Sequence, residues 1–169
     1  MQRMNKVANN ERWHPSVTVA AVIEQGGKYL LVEEHTPEGL KLNQPAGHLD
    51  PGESLIAACI RETWEETARH FEPTALLGMY MSRMHRPSTG EDITYLRFAF
   101  CGTVGEEIAG RALDTDIVRT LWLTPEEIMA SQARHRSPLL ARCMQDHQRG
   151  QRYPLGSLWT DASVMLNKP

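Results

Sequence analysis

Residues 47–66 read GHLDPGESLIAACIRETWEE, and the way this stretch folds organises the rest of the chain. Ser54 is an N-cap residue type, and Glu53 stands beside the positive end of any helix that starts there, so a helix is expected from Ser54 to about Arg69. At about 100° per residue, Glu62, Glu65 and Glu66 fall within one narrow arc. Their separations of three and four residues stack them on a single face. Ala58 shares that arc one turn earlier, where its short side chain would leave room for a ligand. The opposite arc carries Ile56, Cys59, Ile60, Thr63 and Thr67, with Trp64 at its edge, and is expected to pack on a sheet.

The flanking sequence supplies that sheet. Two short β-branched runs, residues 17–23 (VTVAAVI) and 28–34 (KYLLVEE), are separated by Gln25-Gly26-Gly27, a hairpin signal. A Gly- and Pro-punctuated stretch over 37–52 leads into the helix. Further strands are expected at 75–83, 93–101 and 118–123, with a polar loop over 87–92 between the first two. Thr124-Pro125-Glu126-Glu127 combines a cap, a proline at the first helical position and acids in the first turn. Another amphipathic helix is expected over 137–147, closed by Gly150. Residues 1–12 read as a polar leader, 13–155 as one α/β domain and 156–169 as a tail without clear pattern.

Composition narrows the function classes. With 41% hydrophobic and 23% charged residues, the 169-residue chain matches a globular protein with one core, not a disordered, collagenous or coiled-coil one. A formal net charge of −3 argues against a nucleic-acid polymer or an anionic membrane surface as partner. It leaves room for a small phosphorylated substrate, because a divalent metal can carry positive charge locally. Cys59, Cys101 and Cys143 are far apart and odd in number, which supports neither a disulfide framework nor a zinc site. The first dozen residues hold no signal-peptide core, and no apolar run approaches the roughly 20 residues of a membrane span. A cytoplasmic monomer or small homo-oligomer is expected.

Three carboxylates on one helical face repel one another, each close pair costing a few tenths of a kcal/mol. A hard divalent cation removes that repulsion and takes oxygen ligands. Such a cation neutralises a diphosphate, polarises phosphorus and acidifies water. The competing reading is a solvated charged face, since Glu65 lies four residues before Arg69, a favourable helical pairing.

The upstream spacing bears on that choice. The segment resembles the Nudix box: Gly, five residues, Glu, seven residues, then Arg-Glu-U-x-Glu-Glu-x-Gly-U, with U bulky and aliphatic. Gly47, Glu53, Arg61, Glu62, Glu65 and Glu66 supply six of its nine specified positions. Thr63, Ala68 and Arg69 depart from it, and Ala68, standing where the box has glycine, puts the end of the helix in question. The resemblance implies an α/β/α sandwich with a mixed β-sheet. It implies metal binding, usually Mg²⁺ or Mn²⁺, by Glu62, Glu65, Glu66 and the Gly47 carbonyl. Arg61 would orient a glutamate and pair with Glu53. The general base would be Glu62 or an acidic loop residue, here Glu91 or Asp92.

The likeness extends beyond the box. WHPSVTVAAVIEQGGKYLLVEE, NQPAGHLDPGE, ITYLRFAF, SPLLAR and GQRYPL, between Trp13 and Leu155, resemble the NudJ phosphatase branch of that family. The implied substrates are nucleoside di- and triphosphates and pyrimidine diphosphates of thiamine metabolism, including hydroxymethylpyrimidine diphosphate. The alternatives are a nucleotide-sugar or house-cleaning nucleotide pyrophosphatase, or a non-catalytic Nudix ligand sensor. For the substrate, Gln44, Arg97 and Tyr153 are candidates, with Arg152 beside the last; each also has a structural reading, as turn residue, strand charge or packing aromatic. His35, His48 and His85 show no ligand spacing, and Trp13, Trp64, Trp122 and Trp159 are read as packing residues.

Overall fold

The first two apolar runs form the hairpin that their pattern predicts: β1 (Ser16–Gln25) and β2 (Lys28–Thr36). Gly26 (φ 59°) and Gly27 (φ 80°) make the turn, both in the left-handed region that a tight two-residue hairpin loop requires. The computed structural model describes residues 12–86 and 89–165. Most of the expected leader, the start of the expected loop at 87–88, and the last four residues of the tail lie outside the described residues.

The stretch over 37–52 contains two short strands that its Gly/Pro punctuation hid, β3 (Gly39–Asn43) and β4 (Ala46–His48). Then come α1 (Leu55–Thr67), β5 (Phe71–Arg86), β6 (Glu91–Val104), β7 (Ile117–Leu123), α2 (Pro125–Ala130) and α3 (Leu139–Gln148). The strand order is β3-β2-β1-β6-β5, with β4 also beside β1 and β7 beside β2. The β1–β6 pair is parallel and the others antiparallel, so the sheet is mixed as expected.

Side chains alternate across β1, and both faces are covered. Val19, Ala21 and Ile23 join Phe100, Ala58 and Cys59 beneath α1. Ala20 and Val22 join Ala99, Leu140, Cys143 and Met144 beneath α3. The result is the α/β/α sandwich. Among the described residues no helix is long and apolar enough to cross a membrane.

Four local expectations change. First, the acidic arc of α1 overlaps its packed arc: Ala58, Cys59, Glu62, Thr63, Glu66 and Thr67 are all buried, while Ile60 is 36% exposed. Ala58 therefore fills the core and leaves no ligand space. Second, Ala68 does end the helix in the left-handed conformation (φ 54°, ψ 30°), its N–H donating to the Trp64 carbonyl at 3.0 Å. The Cβ penalty of roughly 1 kcal/mol is absorbed by burial and by the Ile108 N–H bond to the Ala68 carbonyl. Third, β5 and β6 run on as a long hairpin, so Glu91 and Asp92 are strand residues and not loop residues. Fourth, Trp13 and Trp159 are 69% and 83% exposed and do not pack in the core.

Candidate active site

Ser54 caps α1 by accepting the Ala57 N–H at 3.1 Å, and this fixes where the acidic turns project. Arg61 organises them. Its guanidinium grips both oxygens of Glu53, at 3.0 and 2.7 Å, in a bidentate fork. It also donates to Glu62 Oε1 at 2.8 Å, Glu65 Oε2 at 2.9 Å and the His48 carbonyl at 3.0 Å. Each of Glu62 and Glu65 is thus held by one oxygen in this network.

Gly47 shows why that strand position tolerates no side chain. A Cβ there would lie 2.1 Å from the Glu62 carboxyl carbon and 2.2 Å from both its oxygens. Gly47 stands opposite Val19 in the β4–β1 ladder, so the strand backbone itself forms the seat of the carboxylate. One residue earlier, the Ala46 N–H donates to Glu66 Oε2 at 2.9 Å.

Asp114 completes the cluster, and sequence reasoning missed it. The β6–β7 connection is tied to the end of α1 by the Ile108 N–H on the Ala68 carbonyl and by the Asp114 N–H on the Glu65 carbonyl, both 3.0 Å. This places carboxylate oxygens of Glu62, Glu65 and Asp114 within 4.8 Å of one another. The only sequence signal was a polar, acidic stretch before β7, without spacing to a motif. An all-oxygen set of this kind suits a hard divalent cation.

The electrostatics agree. Burial pushes the Glu66 carboxyl up to about 9, with Glu34, Glu62 and Asp114 adding to the rise. Burial also raises Glu62, against the pull of Arg61, and raises Asp114 together with the nearby Glu65. These carboxyls hold protons more tightly than ordinary ones unless positive charge arrives.

They form one wall of a cleft of about 760 Å³. Arg83, His85, Arg97 and Arg136 line it too, with Ser137, Pro138 and Leu139 at the start of α3. Arg97, a candidate from the sequence, is 7% exposed; burial lowers its pKa while Glu34 and Glu66 counter that.

The other candidates lie elsewhere. Gln44 is buried and does not line the cleft; its amide donates to the Leu140 carbonyl at 2.9 Å and accepts from Arg97 at 3.4 Å, so it supports Arg97 from behind. Tyr153 is half exposed and bonds through its backbone to Leu76, away from the cleft. Arg152, its neighbour, donates to the carbonyls of His147 and Gln151. Glu91 is paired with Arg86 at 2.6 Å and Asp92 with Arg83, and neither acid lines the cleft. The alternative base is therefore not where the loop reading put it.

A NUDIX domain profile matches residues 12–143. The chain belongs to the Nudix family. It is 39% identical over 141 residues to Phosphatase NudJ of Escherichia coli, an alignment covering 83% of this chain and 88% of that one. A solved NUDIX hydrolase from Nitrosomonas europaea is 53% identical, with a TM-score of 0.79 over 88% of this chain and 98% of its own. A MutT NUDIX hydrolase from Burkholderia pseudomallei shares the fold at 19% identity, with a TM-score of 0.63 over 79% of this chain and 98% of its own. As a Nudix hydrolase, the protein acts on phosphate anhydrides.

The three departures from the Nudix box are structural. Thr63 Oγ1 bonds the Cys59 carbonyl at 2.8 Å inside the core. Ala68 keeps the left-handed stop. Arg69 reaches the Gly105 carbonyl at 3.0 Å and pairs with Glu107 at 3.2 Å, bracing the connection that delivers Asp114.

Proposed function

We propose that the protein hydrolyses terminal phosphoanhydrides of small diphosphates and triphosphates, including nucleoside di- and triphosphates and hydroxymethylpyrimidine diphosphate. The observation that carries this reading is the shared oxygen cluster of Glu62, Glu65 and Asp114, on the wall of a cleft that also holds arginines. Nudix hydrolases in general use a divalent cation. Here Glu62, Glu65 and Asp114 would hold Mg²⁺ or Mn²⁺, with Glu66 and the Gly47 carbonyl adjoining. When bound, the cation supplies charge neutralisation for the polyphosphate and acidifies the attacking water.

The chain's own residues supply the rest. Arg61 orients Glu62 and Glu65 and is itself locked by Glu53. Glu62, packed against the bare backbone of Gly47, accepts the proton of the attacking water. Arg97 and Arg136 face the substrate across the cleft. Orthophosphate release accords with the name of the Escherichia coli relative, a phosphatase.

The test is a phosphate-release assay over nucleotides, pyrimidine diphosphates and nucleotide sugars, with Mg²⁺ and with EDTA. Mg²⁺-dependent orthophosphate is expected. Pyrophosphate or paired monophosphates would instead favour a nucleotide-sugar or house-cleaning pyrophosphatase. No cation dependence would refute the assignment of the cluster.

A further inference from the structure

The connection from β6 to β7 carries Asp114 to the acidic cluster, yet it has no core of its own. None of residues 105–116 is buried, and even Ile108 is 44% exposed. A segment with so few apolar contacts is held only by the specific ties it makes. Its backbone is tied to α1 through the Ile108 N–H on the Ala68 carbonyl and the Asp114 N–H on the Glu65 carbonyl. Arg69 braces the start of the connection, at Gly105 and Glu107. Between the two backbone ties, residues 109–113 need a hold of their own if Asp114 is to stay at the cluster.

Arg111 supplies it. A turn closed by the Arg111 N–H on the Ile108 carbonyl at 3.3 Å, with Gly110 at φ 78°, reverses the chain just before this residue. The guanidinium carbon then lies 4.2 Å from the centre of the Trp64 ring, well inside cation–π range. Trp64 is itself fixed, stacked on His70 with 4.2 Å between ring centres and 18° between planes. Trp64 directly precedes Glu65 on α1, and Arg111 precedes Asp114 by three residues. The stack therefore joins the two elements beside the carboxylates they carry. Arg111 does not line the cleft, so it makes no substrate contact there. Its charge still reaches the cluster: burial and Glu65 raise the Asp114 carboxyl, and Arg61 and Arg111 oppose the rise. The two possible roles of Arg111 have opposite signs. A bare positive charge near Asp114 opposes a cation, so its removal tightens cation binding. A strut that holds Asp114 in place favours the cation, so its removal loosens binding.

We infer that Arg111, stacked on Trp64, is a positioning residue that pins the β6–β7 connection so that Asp114 meets the cation held by Glu62 and Glu65. This rests on the assignment of a divalent cation to that cluster and gives Trp64 a role beyond packing.

The test is Mn²⁺ titration of the full chain by calorimetry, whose stoichiometry keeps the folded fraction out of the affinity. Arg111→Ala should weaken binding by about two- to fivefold, the range of an exposed cation–π contact, and Trp64→Leu by a similar factor. In an Asp114→Asn background, Arg111→Ala should change the affinity by less than about 1.5-fold, because the ligand it positions is gone. Unchanged or tighter binding in Arg111→Ala, or unchanged binding in Trp64→Leu, would overturn the positioning role and leave the cluster standing. Equal weakening by Arg111→Ala in both backgrounds would also overturn it, since the stack would then act on the fold and not through Asp114. Normal Mn²⁺ binding by Asp114→Asn alone would instead defeat the cluster itself, and the positioning role with it.

Discussion

The acids of α1 and the acids at the far end of the β5–β6 hairpin share a chemistry and have opposite surroundings. Glu91 and Asp92 are exposed and paired, Glu91 with Arg86, which also binds Glu38, and Asp92 with Arg83; those pairings hold both carboxyls below their usual range. Glu62, Glu66 and Asp114 are held above it by burial, and Glu53, Glu62 and Glu65 divide a single arginine among them. A carboxylate neutralised by its neighbour is finished as structure. One that is buried among other acids needs positive charge from outside, and this separates a functional cluster from an acidic surface.

Substitution separates the two regions most widely. Glu65→Gln or Glu62→Gln should lower Mg²⁺-dependent kcat/KM by about 10²–10³, the scale of losing a preorganised electrostatic group. Phosphate release from a nucleoside triphosphate measures it, and near-normal turnover in both variants would merge the two regions into one class. Gly47→Ala comes next. Its Cβ would fall 2.1 Å from the Glu62 carboxyl carbon, so the carboxylate or the strand must move. A loss of roughly 10–100-fold in activity is expected, the scale of disturbing a ligand's support, with a lower melting temperature.

How legible this was follows from the same contrast. The glutamates of α1 and their arginine lie within one helix, where three- and four-residue spacing converts directly to a shared face. The hairpin turn, the Ser54 cap and the Thr124 capping box were equally local, and all three formed. Asp114 was hidden because its position depends on backbone bonds from a long connection to the end of α1. Glu91 and Asp92 misled because an acidic pair between two strand-like runs looks like a loop, whereas cross-strand pairing extends β5 and β6 beneath it. Gln44 was legible as a polar residue near the box glycine, but its inward direction toward α3 depends on tertiary packing.

A subtler contrast is stability against pH. The folded Glu66 carboxyl, at about 9, lies above the ordinary value of roughly 4.3 for an unfolded one, so between them only the folded chain holds the proton. Stability in EDTA should therefore fall as pH rises through that interval, and Glu66→Gln should flatten the fall in thermal melts. Mg²⁺ should stabilise the unsubstituted protein more at pH 8 than at pH 6, since binding displaces the proton. A steeper fall in Glu66→Gln than in the unsubstituted protein would contradict this. The smallest effect belongs to the hairpin: Glu91→Gln and Asp92→Asn, each removing an exposed ion pair, should change turnover by less than about twofold. A large loss in either would restore them as candidate bases.

The central claim is that Glu62, Glu65 and Asp114 share one cation, and Mn²⁺ titration by calorimetry in two buffers of different ionisation enthalpy reads it directly. The unsubstituted protein should bind Mn²⁺ with release of protons at pH 7. Glu65→Gln and Asp114→Asn should each weaken binding by about tenfold or more, while Asp92→Asn binds normally. Unchanged affinity in both cluster variants would contradict the account.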